Sequence, residues 1–137
     1  MKIRRAKLAL FAYITFLIAL VLLADDGKGG WMFALAHLIP LGDKAGHFLL
    51  FGTLSFLANL LSRAAKINLF GITAMKGSAI VLSIVTLEEC SQLFFKSRTF
   101  DLLDLTADVL GIWFFSNLAA RYLRWKSAKL KALTYDK

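Results

Sequence analysis

Four runs of 16–19 mostly apolar residues dominate the chain, at positions 8–23, 45–61, 77–95 and 102–120. At 1.5 Å per helical residue, runs of this length reach about 24–29 Å, close to the roughly 30 Å of bilayer hydrocarbon. Backbone placed in hydrocarbon must satisfy its own hydrogen bonds. An open sheet cannot do so, and the period-two alternation of barrel strands is absent. The reading is therefore all-α: a polytopic membrane protein with four transmembrane helices in a single domain spanning residues 1–137. A hydrophobic fraction of 58% and a mean hydropathy of +0.65 agree, because soluble chains average about 45–50% apolar. One proline and nine glycines leave little room for long loops.

The formal charge of +8 raises nucleic acid as a partner, but the arrangement of the cations excludes it. They flank the apolar runs and form no basic stripe interleaved with base-stacking aromatics. Thirteen Lys and Arg lie on one side of the alternating spans: four at the N-terminus, three between the second and third runs, six at the C-terminus. The other side holds four: Lys28, Lys44, Lys96 and Arg98. The positive-inside rule then puts both termini of this multi-pass protein on the cytoplasmic side. Trp31 and Trp125 fall where interfacial aromatics belong, and Lys76 can snorkel to the headgroups. Positions 123–137 read as a short basic tail on the inner leaflet. Leu22 fits poorly at the third position before a cut after Ala24, so the first run reads as a retained helix. The single Cys90 reads as a packed apolar side chain.

Against this background, positions 88–111 stand out. They carry Glu88, Glu89, Asp101, Asp104 and Asp108, with Gln92 and Arg98. An acid inserted into lipid costs roughly 2.5–3.5 kcal/mol, so these groups need partners or water. The topology brings them to the outer side, together with Asp43, Lys44 and His47 at the head of the second helix. Helical phase agrees. Asp43 and His47 are four apart, and Glu89 and Gln92 three apart. Asp101, Asp104, Asp108 and Gly111 form one stripe. Gly111 lets a neighbouring helix approach beneath the acids. The acids outnumber the fixed cations, so the excess must be protonated, wet or cation-bound, which implies an outward-opening pocket between the second, third and fourth helices. Clustered carboxylates suit Mg²⁺ or Mn²⁺. No ligand spacing requires a cofactor, and no residue is assigned as a metal ligand.

Each of these residues also has a purely structural reading. Asp43 and Lys44 could cap the second helix, and His47 could be an internal hydrogen-bond partner. Glu89 and Gln92 could be polar glue between helices. Arg98 could pair with Asp101 or Asp104, or hold a phosphate or carboxylate bidentately. Asp101 could be a loop acid or a helix cap. Asn59 and Gly52 read as packing residues.

The order Asp43-Lys44-x-x-His47-Phe48, then Glu89-x-x-Gln92-x-Phe94, Arg98, Asp104 and Gly111, resembles the VanZ-like family of small bacterial membrane proteins. The resemblance covers about 70 residues, from Asp43 to Phe115. Where this chain has Asp108, the family usually has Asn. The resemblance implies a polytopic protein tied to the cell envelope; the family's founder is associated with resistance to teicoplanin, a glycopeptide. It supplies no established reaction. The leading expectation is a site that binds or processes a lipid-linked cell-wall precursor. Glu89 or Asp104 would be general base, His47 would assist, and Arg98, Gln92, Asp43, Lys44, Asp101 and Asp108 would line the site. A non-catalytic binding or accessory protein and a small proton-coupled transporter remain alternatives, so enzymatic activity is left open. The bilayer is the expected partner, and a homodimer stays open.

Overall fold

The structure, a computed structural model, describes residues 3–25, 30, 38, 40–69, 71–94 and 100–135. Four long helices carry the fold: α1 (Ile3–Asp25), α2 (Gly42–Leu61), α3 (Lys76–Ser91) and α4 (Leu102–Tyr135). A 3-10 turn, Gln92–Phe94, extends α3. Each helix is long and apolar enough to cross a membrane, α3 together with its 3-10 turn.

Contacts between distant residues fix the helix directions. The Tyr13 hydroxyl donates to the Leu50 carbonyl at 2.9 Å, while Ala6 and Lys7 share a cavity wall with Leu60 and Leu61. α1 therefore runs antiparallel to α2. His47 meets Asp108 and, two turns further on, Ser55 meets Ser116, so α2 and α4 run parallel. Asn59 bonds Ser78, and Glu89 bonds the Asp101 amide, so α3 returns antiparallel to both. Both ends of the described chain thus lie at one end of the bundle and the acidic residues at the other.

The apolar core is formed by Leu17, Phe51, Leu54, Val81, Val85 and Ile112. Much of the remaining apolar surface points outward, with Leu8, Phe11, Leu22, Leu87 and Trp113 more than 60% exposed. In water such a surface would be an aggregation liability; against lipid it is a matched solvent. α2 and α4 pack closest. A Cβ on Gly111 would fall on the Phe48 carbonyl, and one on Gly52 would strike the Phe115 ring. The close approach expected of Gly111 is present.

Two features depart from the sequence reading. The stretch between α2 and α3, expected to be a loop, contains an antiparallel hairpin, β1 (Lys66–Leu69) paired with β2 (Ile72–Met75), in register Lys66↔Met75 to Leu69↔Ile72. Ile67, Ile72 and Thr73 favour strand, and Gly71 supplies a φ of +84° in the turn. The Lys76 amide donates to the Ala65 carbonyl at 2.7 Å and closes the base of the hairpin. The second departure is α4, which does not stop near position 120. It continues as one helix through the basic segment to Tyr135, 34 residues or about 51 Å. The Leu, Ala, Lys and Arg of that segment are good helix formers, and it has no glycine or proline to stop the helix.

Candidate functional site

At the end of the bundle opposite the chain termini, α2, α3 and α4 bring together eight of the nine residues singled out from sequence. The ninth, Arg98, lies outside the described residues.

Lys44 organises the outer layer. Its Nζ sits 2.8 Å from Asp43 Oδ2, 2.7 Å from Asp101 Oδ2 and 2.8 Å from Asp104 Oδ1. One ammonium thus meets three carboxylates, hydrogen-bonding Asp43 and Asp101 and pairing with Asp104 by charge alone. Asp43 is not the cap of α2. That position is Leu41, in the left-handed conformation with no side-chain cap bond. Asp43 lies in the first turn, where its Oδ1 accepts from the Lys44 amide at 2.9 Å and its charge complements the helix dipole. Asp101 does cap a helix. Its Oδ1 accepts from the Leu103 amide at 2.8 Å at the start of α4. The Lys44 ammonium, followed by that amide, holds the Asp101 carboxyl below the usual aspartate range.

Beneath this layer lies a drier one. His47 Nδ1 is 3.1 and 3.3 Å from the two oxygens of Asp108, and its Nε2 faces Asp104 Oδ2 at 3.8 Å. The Glu89 carboxylate accepts from the Gln92 amide at 2.9 Å and from the Asp101 backbone amide at 2.8 Å. Gln92 Nε2 also lies 3.3 Å from Glu88, so this acid shares the same amide. Glu89 and Asp108 have no solvent exposure, whereas the side chains of Lys44, His47 and Asp104 keep 16–18%. Solvent therefore reaches the cluster at those three and more fully at Asp43 and Asp101, whose side chains keep 31% and 37%. The acids expected to line an open pocket are largely satisfied by one another's partners.

One ligand atom each from His47, Glu89 and Asp108 lies within 4.8 Å of the others, so one nitrogen and two oxygens could converge on a single divalent cation. That mixed set suits Mn²⁺, Fe²⁺ or Zn²⁺ better than Mg²⁺, which prefers oxygen.

Sequence reasoning overlooked a second polar group nearer the basic end. The buried Asn59 amide donates to Ser78 at 2.9 Å, to Ser116 at 3.1 Å and to Ser55 at 3.3 Å. Ser116 also meets the hydroxyls of Ser55 and Ser78 at 2.8 and 2.6 Å. Asn59 Oδ1 has no hydrogen-bond partner among the described residues and points at the Gly77 backbone. The signal was present: Ser55 and Asn59 are four apart, and Ser116 continues the Asp101–Asp108 stripe. Phe51, Gly52, Gly111 and Ile112, all buried, occupy the level between the two polar groups.

No family model, curated protein or solved structure matches this chain.

Proposed function

We propose that this protein lies in the bacterial cytoplasmic membrane with both termini inside. Its outer polar cluster would bind or process a lipid-linked cell-wall precursor or a related amphiphile, as its resemblance to VanZ-like proteins suggests. The charge distribution along the sequence supports the orientation. One observation carries the site: the fully buried Asp108 holds His47 by Nδ1 and leaves Nε2 facing the edge shared with Asp104 and Lys44. A carboxylate that fixes one ring nitrogen orients the other for proton transfer. In the catalytic form of the proposal, His47 exchanges a proton with the substrate, assisted by Asp104 or Glu89. Lys44 and Arg98 attract its anionic group.

The buried apolar level between the two polar groups weighs against a proton path through the bundle. It favours binding or chemistry at one face over coupled transport. The test is turnover, and separately binding, of a purified lipid-linked precursor by the protein in nanodiscs. Loss of turnover with retained binding in His47→Gln and Asp104→Asn supports catalysis. Binding without turnover in the unaltered protein makes it an accessory binder. Absence of both removes the proposal.

A further inference from the structure

At the opposite end of the bundle, the extended part of α4 and the β1–β2 hairpin enclose a cleft of about 640 Å³. Four cations line it (Arg63, Lys66, Arg124 and Lys131), and among the described residues no acid does. The α4 wall is one helical face: Asn117, Ala120, Arg124, Ser127 and Lys131 follow at steps of three and four, with Leu123 and Ala128 beside them. Small residues alternate there with cations, so the face is recessed between its charges.

Arg63 reaches this cleft through an unusual backbone. α2 ends with the Ala64 amide bonded to the Asn59 carbonyl at 2.8 Å, a turn that usually places glycine in the left-handed region. Here Arg63 (φ 53°) and Ala64 (φ 51°) both occupy it. For L-residues this conformation is disfavoured because Cβ crowds the following carbonyl oxygen. Strain retained at a non-glycine position points to a role for the side chain it directs. Arg63 also borders a second cavity of about 280 Å³, whose wall combines Leu60, Leu61, Tyr122 and Leu123 with Lys7 and Lys126. Arg63 therefore lines both a cationic cleft and a neighbouring cavity that adds an aliphatic wall to two further lysines.

We propose that this paired cavity is a binding site for an anionic phospholipid. The phosphate headgroup would sit among Arg63, Lys66, Arg124 and Lys131, with part of an acyl chain along Leu60, Leu61 and Leu123. Arginine suits phosphate through its planar fork, and each basic residue near an anionic surface adds to the attraction. The adjoining apolar wall distinguishes a lipid from a soluble phosphate, which would gain nothing from it. The site is independent of the chemistry at the acidic end.

The test is native mass spectrometry of the full chain released from nanodiscs of phosphatidylcholine mixed with phosphatidylglycerol or cardiolipin. Selective retention of the anionic lipid is expected, reduced by about tenfold or more in Arg63→Gln/Arg124→Gln. Lys129→Gln, on the same helix but outside the cleft, should retain it. Arg124→Gln/Lys131→Gln alters only helix-surface positions and carries the test if the Arg63 variant fails to fold by circular dichroism. Glycerol phosphate at millimolar concentration should not displace the lipid. Equal retention of zwitterionic and anionic lipid, unchanged selectivity in the folded variants, or full displacement by glycerol phosphate would each overturn the proposal.

Discussion

His47 and Asp108 lie 61 positions apart in the chain and meet with Nδ1 3.1 Å from Oδ1, the carboxylate fully buried and the ring half-buried. Asp108→Ala leaves that ring nitrogen without its partner and is expected to cost about 1–3 kcal/mol. Asp108→Asn keeps the shape and should cost less. A double-mutant cycle with His47→Gln, read by thermal melting in detergent, should give a coupling of about 0.5–3 kcal/mol. Additivity within error would mean the contact contributes nothing specific.

Lys44 binds three carboxylates, so Lys44→Met should destabilise more than the loss of any one of them. About 2 kcal/mol is expected, below the 3–5 of a fully buried pair, because Asp43 and Asp101 keep about a third of their side-chain exposure. The pH dependence has a definite sign. Asp101 is held below the usual carboxylate range, so the folded form binds its proton less readily than the unfolded chain, whose aspartates titrate near pH 3.9. Its contribution is fully present above about pH 4 and is lost as pH falls through the lower folded value. Stability curves between pH 3 and 7 should show a shallower acid loss for Lys44→Met than for the unaltered protein. An unchanged curve would remove Lys44 as the cause.

The two glycines of α2 and α4 that frame the cluster should respond oppositely. Gly111→Ala puts a methyl on the Phe48 carbonyl, a backbone atom that cannot swing away, and overpacking of this kind costs about 1–3 kcal/mol. Gly46 has open space around its missing Cβ, so Gly46→Ala should be neutral or stabilise by about 0.5–1 kcal/mol through helix propensity. Melting temperatures of the two variants decide this directly.

The turn after α2 offers a second paired comparison. Ala64→Gly relieves a left-handed alanine and should stabilise by up to about 1 kcal/mol, while Gly71→Ala at φ +84° should destabilise by a similar amount. Denaturant unfolding of both variants, with an unaltered slope, is the measurement.

Much of the architecture was legible in residue order alone. Hydropathy acts locally, so the run at positions 45–61 marked a helix long and apolar enough to span a membrane wherever it packed. The spacing of Asp101, Asp104 and Asp108 put them on one face because helical phase is also local. Alternating spans then brought His47, Glu89 and Asp104 to one end. The hairpin at positions 66–75 and the helical course of 121–135 carried readable propensities. A window tuned to apolar runs passes over both.

Partner choice was a different matter. Lys44 gathers Asp101 and Asp104, and His47 holds Asp108, because α2 and α4 run parallel in one particular register. Gly111 and Gly52 set that register by letting backbone and ring approach where a methyl would clash. The sequence by itself therefore determined which segments can live in hydrocarbon and which side chains share a helical face, since both depend on neighbours within a few residues. Only the tertiary structure decided which acid meets which base and where Arg63 stands between its two cavities. An ion pair is resolved to a few tenths of an ångström, and that distance is set by how whole helices pack.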